Sequence, residues 1–315
     1  MQDWTGRTID YLRLSVTDLC NYRCRYCMEE AGVPKLAHSD ILSIEELAEI
    51  GRAAVRCGVT KIRLTGGEPL VRRGIVELCR QLRQEPRLRE LDITTNGSLL
   101  PELAGPLRRA GVDRLNISLD TLRADRFAEI TRRGSLPQVL EGLAAAEAAG
   151  FPAVKLNTVL LGGWNTDEIP ALVALTRDRP CCVRFIELMP MGVCAGWPDE
   201  RFVAADLVLR AVPELEPVGK SGVAELYRVP GYRGTVGLIR PMSHRFCGDC
   251  NRIRVTADGK LKPCLHSPEE IPLRGLHGEA LEAAIRAAAA GKPERHRLTE
   301  LHCSSAVRSM NEIGG

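Results

Sequence analysis

Short apolar runs alternate with helical patterns over the first two thirds of the chain, and this alternation limits the possible folds more than any other feature. Six runs have the length of buried strands, and helical periodicity occupies most of the intervals between them. The strand candidates are residues 11–17, 61–67, 91–97, 114–120, 153–161 and 183–190. The helix candidates are residues 43–58, 72–84, 100–111, 136–150 and 167–178. This order predicts an α/β fold with a parallel sheet, either a barrel or an open doubly wound sheet.

Polar side chains at the ends of the predicted strands favour the barrel. The strands run into the segments "SVTD", "TGGE", "TTN", "SLD" and "ELM", and Lys155 and Asn157 lie within the fifth strand. Barrel enzymes place their active sites at the carboxyl ends of their strands. Any one of these groups could be an ordinary turn residue, but a series of six indicates a common site. We therefore predict a partial six-stranded barrel.

The alternation fades after about residue 200, and prolines and glycines become frequent, as in "EPVGKSGVAELYRVPGYRG". We place a boundary near residue 225. Residues 1–225 are then expected to form the barrel core, and residues 226–315 a smaller region that contains cysteines.

Composition excludes several classes of protein. The 315 residues carry 43 basic and 40 acidic side chains, so the overall charge gives no case for nucleic acid binding. Aromatic residues make up only 4%, too few for a surface that stacks bases. The sequence holds no apolar run of about 18 residues, and its N-terminus lacks the order of a secretory signal. We expect a cytoplasmic protein that contacts neither membranes nor nucleic acid.

Twelve cysteines are many for such a chain, and half of them fall in two tight groups. The first group has the spacing C-x3-C-x2-C and the second C-x2-C-x13-C. Their members are Cys20, Cys24 and Cys27, then Cys247, Cys250 and Cys264. In a reducing compartment, clustered cysteines indicate metal ligands rather than disulfides.

The first group offers three thiolates where a closed metal site needs four. An iron–sulfur cluster held by three cysteines leaves one iron open, and S-adenosylmethionine (SAM) is a cofactor of radical chemistry that can bind there. An electron from the cluster would then cleave SAM to a 5′-deoxyadenosyl radical. The alternative is a zinc site with a distant fourth ligand, but the x3–x2 spacing with an aromatic residue before the last cysteine is unusual for zinc.

The second group also has three cysteines, and His244 or His266 could complete a zinc ribbon. Beside the first group, a second cluster with an open iron is the better interpretation. The segment Arg252-Ile253-Arg254 lies between these cysteines, and an extended backbone would direct both guanidinium groups to one side. Paired arginines suit phosphate and carboxylate ligands.

These motifs carry a family resemblance. "CNYRCRYC" matches the cysteine motif of the radical SAM superfamily, and "TGGEP" (65–69) resembles its loop for the SAM amino group. Over nearly its whole length, from "LRLSVTDLCNYRCRYCM" to the terminal "SMNEIGG", the chain resembles the GTP 3′,8-cyclase family of molybdenum cofactor biosynthesis. It departs from that family at Glu29-Glu30, where proline is usual.

The resemblance implies a role for each matching residue. The two cysteine groups would hold two 4Fe-4S clusters, and SAM would be bound by Tyr26, Gly67, Ser118 and Met189. GTP would be bound by Arg13, Arg63, Thr94, Lys155, Arg252, Ile253 and Arg254. Gly314 and Gly315 would belong to a catalytic tail, and we expect Val307, Met310 and Ile313 to anchor it on one face. The C-terminal region would close the barrel.

The implied reaction converts GTP to (8S)-3′,8-cyclo-7,8-dihydroguanosine 5′-triphosphate, the first step of molybdenum cofactor biosynthesis. It implies a reducing electron donor, product hand-off to cyclic pyranopterin monophosphate synthase, and a monomer or homodimer. One alternative is another radical SAM enzyme with an auxiliary cluster, of the peptide-maturase type. Another is a non-catalytic zinc or iron–sulfur module, possibly for RNA.

Overall fold

The structure is a computed structural model that describes residues 1–33, 36–152, 154–298 and 303–314. Its first six strands are Tyr11–Ser15, Lys61–Thr65, Glu90–Thr95, Arg114–Ser118, Lys155–Leu160 and Cys182–Glu187, here β1 to β6. Helices α1 to α6 are Ile44–Arg56, Ile75–Arg83, Leu100–Arg109, Ala124–Thr131, Leu136–Ala148 and Ile169–Ala174. Each crossover between successive strands therefore contains at least one helix, as predicted.

The C-terminal part adds shorter elements. Strands β7 to β12 are Glu216–Ser221, Ala224–Arg228, Thr235–Ile239, Arg252–Val255, Lys260–Lys262 and Ile271–Pro272. Helix α7 is Asp206–Ala211, α8 is Gly278–Ala290 and α9 is Met310–Ile313. No helix in the described ranges is long and apolar enough to cross a membrane.

The strands of the described residues form one sheet in the order β12-β11-β10-β1-β2-β3-β4-β5-β6-β9-β8-β7. Strands β1 to β6 follow one another in parallel without a reversal, whereas an open doubly wound sheet reverses its order at a switch point. The partial barrel is therefore confirmed. The two edges of the six-stranded part are extended by the C-terminal half, because β10 pairs in parallel with β1 and β9 with β6.

Strand register determines which side chains reach the inside of the barrel. Arg13 on β1 lies opposite Arg63 on β2 and Arg254 on β10. Since side chains alternate along a strand, these residues share one face of the sheet. Ile253 lies opposite Leu12 and belongs to the buried hydrophobic core on the other face. The Ile253 side chain therefore packs in the core, while its neighbours line the cavity, and the assignment of Ile253 to the substrate site stays a prediction.

Helix boundaries follow local sequence signals where those are strong. Helix α1 begins with a capping box, because the Ser43 hydroxyl accepts the Glu46 N–H at 3.1 Å and the Glu46 carboxylate accepts the Ser43 N–H at 2.7 Å. Gly58, with φ of +106°, follows its end. The segment predicted as a helix over 167–178 is regular only over Ile169–Ala174.

The sequence analysis does not include α4, which has eight residues and buries only Phe127, Ile130 and Thr131. That omission matters, because the carboxyl end of α4 supports the first cysteine group.

Candidate active site

A cavity of about 400 Å³ opens at the carboxyl ends of the parallel strands, and both cysteine groups line it. Side chains from β1 to β6 contribute to its wall, together with β10 and the loop that follows β11. All twelve cysteines are free thiols in the structure. Two groups separated by about 220 residues of sequence are thus brought to one cavity by the parallel pairing of β10 with β1.

The loop of the first group rests on the end of α4. The backbone N–H groups of Arg23 and Arg25 donate to the carbonyls of Thr131 at 3.0 Å and Ile130 at 2.9 Å. Arg132 follows the helix with φ of +60° and donates to the carbonyl of Arg23 at 3.0 Å. These bonds occupy carbonyls that a helix end leaves without internal partners, so the helix end and the loop stabilise each other.

Tyr26 fixes the same loop from inside. Its hydroxyl donates to the Asp120 carboxylate at 2.7 Å, and that carboxylate also accepts the Val159 N–H at 2.9 Å. Burial raises the pKa of Asp120 to about 6. The buried Cys194 thiol donates to the Tyr26 carbonyl at 3.1 Å. Asp120 and Cys194 were not among the predicted site residues, and both act through Tyr26.

The thiols of the first group are suited to metal ligation. Burial raises the pKa of Cys20 to about 11 and that of Cys27 to about 12, and it raises the pKa of Cys24 well above its ordinary value. Neighbouring thiols add to the rise at Cys24 and Cys27. Without a metal these groups stay neutral, whereas bound iron would supply the positive charge that stabilises three adjacent thiolates. The donor set therefore fits an iron–sulfur cluster.

The "TGGE" loop lies directly against the cysteine loop. Gly67 N–H donates to the Thr17 carbonyl at 2.8 Å, and Glu68 N–H donates to the Leu19 carbonyl at 2.9 Å. A Cβ at Gly67 would lie 2.6 Å from the Asp18 carbonyl oxygen, so the position needs glycine. The sequence suggested that the paired glycines approach a ligand. In the structure, the close approach of Gly67 is to the backbone of the neighbouring loop.

The second cysteine group is surrounded by positive charge. Lys292 donates to the carbonyls of Arg252 at 2.8 Å and Pro263 at 2.7 Å, and so joins the segments that carry Cys250 and Cys264. Burial opposes ionisation of Cys250, but Lys292 and Arg252 lower its pKa below the ordinary value. Burial raises the pKa of Cys247.

The zinc alternative for this group finds no support from geometry. In the part of the chain that the structure describes, no three His, Cys, Asp or Glu side chains come close enough to hold a single metal ion. His266 lines the cavity, and its Nδ1 lies 3.1 Å from the Ser304 hydroxyl, which leaves Nε2 without a role in that contact. A cluster binds each thiolate to a different iron and so tolerates wider spacing than one ion does. The second donor set therefore fits a cluster as well.

Basic side chains from five strands form a cation cluster in the cavity. Its members are Arg13, Lys61, Arg63, Lys155, Arg184, Arg252 and Arg254. Asp92 compensates part of this charge, because its carboxylate pairs with Arg63 at 2.6 Å and Lys61 at 2.9 Å. Burial, aided by Arg184 and Lys61, lowers the pKa of Lys155 to about 7. So many buried cations indicate a polyanionic ligand.

The ring of Tyr11 lies among these cations. Lys61, Arg63 and Arg252 lie 5.2, 5.5 and 5.7 Å from its centroid. Burial opposes ionisation, but Arg63 and Arg13 lower the pKa of its hydroxyl. The face of the Tyr11 ring attracts cations and so offsets part of the repulsion among the neighbouring positive side chains. The sequence analysis did not assign Lys61 and Arg184 to the site, although Lys61 lies two positions from Arg63 in the same strand pattern.

Polar atoms without partners mark the remainder of the cavity. Within the described residues, these buried atoms make no hydrogen bond: Thr65 Oγ1, Thr94 Oγ1, Asn116 Oδ1 and Nδ2, Asn157 Oδ1, Arg184 Nε and Arg252 Nε. Buried polar groups are normally satisfied, so a set of them around one cavity indicates a polar ligand. A nucleotide and a charged cofactor such as SAM fit that requirement.

Nearly all the residues that the sequence analysis assigns to SAM or GTP line the cavity. Tyr26, Gly67, Ser118 and Met189 line it, as do Arg13, Arg63, Thr94, Lys155, Arg252 and Arg254. Gly314 lies at its edge, where its carbonyl accepts Arg254 Nη1 at 2.9 Å, and Gly315 lies outside the described residues. Val307 is 91% exposed, so the expectation that it anchors the tail is wrong, whereas Ile313 is buried.

Comparison with solved structures supports the architecture. SuiB from Streptococcus suis has a TM-score of 0.64 over 91% of this chain and 67% of its own, at 14% identity. Its SAM-bound form has a TM-score of 0.57 over 90% of this chain and 66% of its own, at 13% identity. At such identity the likeness shows the fold alone.

Sequence comparison shows the family. Residues 14–176 match the model of the radical SAM superfamily, and residues 181–298 match the model described as Molybdenum Cofactor Synthesis C. The GTP 3′,8-cyclase of Geobacter sulfurreducens is 51% identical over 99% of this chain and 99% of its own. That of Peptoclostridium acidaminophilum is 50% identical over 99% of this chain and 98% of its own. The chain therefore belongs to the GTP 3′,8-cyclase family of radical SAM enzymes.

Proposed function

We propose that the cavity is the active site in which this chain converts GTP to (8S)-3′,8-cyclo-7,8-dihydroguanosine 5′-triphosphate, the first step of molybdenum cofactor biosynthesis. The observation that carries this proposal is that two cysteine triplets and the cation cluster line one cavity. A peptide maturase or a zinc module gives no reason for so many buried cations. Full-length relatives named GTP 3′,8-cyclase support the same reading.

The first cysteine group would hold the 4Fe-4S cluster that binds SAM, and the second would hold another 4Fe-4S cluster. When bound and reduced, the first cluster and SAM supply hydrogen-atom abstraction from an unactivated carbon. Tyr26, Gly67, Ser118 and Met189 line the part of the cavity that SAM would occupy. Asp120 holds Tyr26 in place through its hydroxyl, so the cysteine loop is fixed before the cofactor binds.

The cation cluster would bind the triphosphate. Arg13, Arg63, Lys155, Arg252 and Arg254 offer positive charge for about four negative charges on GTP, and Thr94 offers a hydroxyl. Register places Arg13 between Arg63 and Arg254, so three guanidinium groups can engage one polyphosphate together. Anchoring the phosphates orients the ribose and base toward the cysteine groups, and orientation is a large part of catalysis.

The tail would complete the site. Gly314 has φ of +75°, and a Cβ there would overlap Thr65 Oγ1 and lie 3.3 Å from Ser15 Cβ. Only glycine fits such a position without strain. We propose that Gly314 closes the crowded end of the cavity and holds Arg254, and that Gly315 has the catalytic role that the family resemblance implies.

Two regions would together form this active site. They are a core over residues 1–225 and a C-terminal region over residues 226–315 that closes the barrel. Strand β8 spans residue 225, and the two family models divide between residues 176 and 181, so this boundary separates functions rather than folding units. The C-terminal region contributes the second cysteine group, two arginines and the tail.

The cofactor chemistry also implies partners. A reducing electron donor would deliver electrons to the first cluster, and the product would pass to cyclic pyranopterin monophosphate synthase. We further propose a cytoplasmic monomer or homodimer without membrane or nucleic acid contact, and the near-balanced charge supports the last of these points.

The test is anaerobic reconstitution with iron and sulfide, followed by metal analysis and an assay with SAM, reductant and GTP. Two 4Fe-4S clusters predict about eight irons per chain and no zinc. The assay should yield 5′-deoxyadenosine and a cyclised nucleotide. Stoichiometric zinc at the second group, or 5′-deoxyadenosine formation that never depends on GTP, would contradict the proposal.

A further inference from the structure

Arg308 holds the C-terminal tail through two carboxylates outside the cavity. Its Nε and Nη2 donate to the two oxygens of Glu270 at 2.7 and 2.9 Å. Its Nη1 and Nη2 donate to the two oxygens of Asp258 at 3.1 and 2.8 Å. Both carboxylates are thus engaged in pairs, which is the geometry that a planar guanidinium fork satisfies best. We call Arg308, Asp258 and Glu270 the tail clamp.

The tail clamp joins the tail to the strands that carry the second cysteine group. Asp258 lies in the turn between β10 and β11, and its carboxylate also accepts the Thr256 hydroxyl at 2.6 Å. Glu270 immediately precedes β12, and Lys262 lies 3.4 Å from it. The three side chains are 21%, 18% and 23% exposed, so water screens their pairing less than at an open surface. Although burial opposes its charge, both carboxylates raise the pKa of Arg308.

The tail clamp lies one short helix away from the glycines. Beyond Arg308, Ser309 and Glu312 form a capping box that starts α9, and α9 ends at Gly314. There the Gly314 carbonyl meets Arg254 Nη1 at 2.9 Å. Arg254 lies on β10, whose far end turns through Asp258. Arg308 and Gly314 therefore contact the same hairpin at two points, six residues apart along the tail.

Apolar packing does not hold the start of the tail against the β10–β11 hairpin. Val307 is 91% exposed, and Ile313 is buried only at the far end of α9. Upstream, Ser304 N–H donates to the Pro190 carbonyl at 2.9 Å and the Ser305 hydroxyl to the His266 carbonyl at 2.6 Å. Those bonds hold the segment before Arg308. Within α9, the buried Asn311 side chain donates to the Asp18 carbonyl at 3.5 Å, which ties the helix to the first cysteine loop but not to the hairpin.

We propose that Arg308 is a positioning residue that sets the register of the tail along the β10–β11 hairpin, so that Gly314 meets Arg254. The inference rests on the proposed function, because it gives the tail a part in GTP cyclisation. Loss of the guanidinium leaves two carboxylates facing each other with Lys262 as the nearby cation. Their repulsion would release α9 from the hairpin and uncouple Gly314 from Arg254.

The test compares Arg308→Gln with Arg286→Gln in the cluster-loaded protein. Arg286 donates to Glu282 at 2.7 Å on exposed α8, so its variant removes the same type of contact far from the tail. Hydrogen exchange of the peptide over 309–314 measures how firmly the tail is held and requires no enzymatic activity. The ratio of cyclised nucleotide to 5′-deoxyadenosine measures the effect of the tail on GTP cyclisation. Arg308→Lys keeps the charge without the fork and should lie between wild type and Arg308→Gln.

We expect Arg308→Gln to exchange the tail peptide roughly tenfold faster than wild type, equivalent to about 1.4 kcal/mol. It should lower the product ratio at least severalfold, with unchanged 5′-deoxyadenosine formation in the absence of GTP. Arg286→Gln should match wild type in both readouts. Unchanged tail exchange in Arg308→Gln overturns the proposal, and so does faster exchange with an unchanged product ratio. If wild type itself makes no cyclised nucleotide, the proposed function fails, while tail exchange still decides whether the clamp holds the tail.

Discussion

Individual buried charges carry most of the information about this site. Arg13 and Arg63 were predictable, because each interrupts an apolar strand where an unpartnered charge would be costly. Asn116 and Asn157 were not assigned a role, since an amide in a strand gives no comparable signal until the cavity around it is known. Ile253 was included only as a neighbour of two arginines, and alternation along β10 directs it into the core.

We expect Lys155 to make GTP binding dependent on pH. Its pKa of about 7 in the free protein leaves it mostly neutral at pH 8, and a bound triphosphate would raise that pKa. Binding at pH 8 should therefore take up close to one proton, and affinity should fall as pH rises from 7 to 9. Calorimetry in buffers of different ionisation enthalpy measures the uptake. Lys155→Arg, which keeps its charge, should abolish the uptake, and equal uptake in both proteins would disprove the assignment.

Cys24 lies at the centre of the first group, and its loss should abolish SAM cleavage. A cluster deprived of one of three thiolates cannot keep a single open iron for SAM. We expect Cys24→Ala to form no 5′-deoxyadenosine under anaerobic reduction. Cys79→Ala is the matched control, because Cys79 is buried in the core between helices and lines neither cysteine group. Wild-type levels of 5′-deoxyadenosine from Cys24→Ala would remove the radical SAM assignment.

At the scale of elements, local signals were sufficient for β1 to β6 and the long helices. The pairing of β10 with β1 was not predictable, because periodicity describes a strand but not its distant partner. The same holds for α9, which has four residues and is held by distant segments, through Asn311 at Asp18 and through Gly314 beyond its end at Arg254. The part of the site that β1 to β6 form is therefore predictable from the sequence. The part that β10 and α9 form is not, because its position depends on pairing with distant segments.

Strand β10 presents two arginines to the cavity, and each should contribute to GTP affinity. Arg252→Ala or Arg254→Ala should weaken GTP binding by roughly 1.5–3 kcal/mol, the range for a charged hydrogen bond. SAM binding should hardly change, because the residues assigned to SAM lie on β4 and on loops after β1, β2 and β6. Equilibrium binding of both ligands, with the exposed Arg80→Ala as control, measures the difference. Equal losses for GTP and SAM would indicate general misfolding instead.

The glycine tail should affect the product more than SAM cleavage. Deletion of Gly314 and Gly315 removes the partner of Arg254 but none of the cysteines. Both clusters and 5′-deoxyadenosine formation should persist while GTP cyclisation is suppressed. The measurement is cyclised nucleotide per 5′-deoxyadenosine in full-length and truncated protein. An unchanged ratio and rate would show that the two glycines are an ordinary chain end.

At the scale of the whole molecule, the sheet explains why one cavity can hold two cysteine groups. The C-terminal half returns to both edges of the six-stranded core, through β10 beside β1 and β9 beside β6. Both cysteine groups and the cation cluster therefore line the same cavity, as the proposed joint binding of SAM and GTP requires.

Transfer of hydrogen from GTP to SAM tests this joint occupancy most directly. The reconstituted protein would be incubated anaerobically with SAM, reductant and GTP deuterated at ribose C3′, and both products analysed by mass spectrometry. The account predicts one deuterium in 5′-deoxyadenosine and a cyclised nucleotide that has lost it. Cys250→Ala should form little cyclised nucleotide. Undeuterated 5′-deoxyadenosine from wild type, or full product from Cys250→Ala, would contradict a shared cavity.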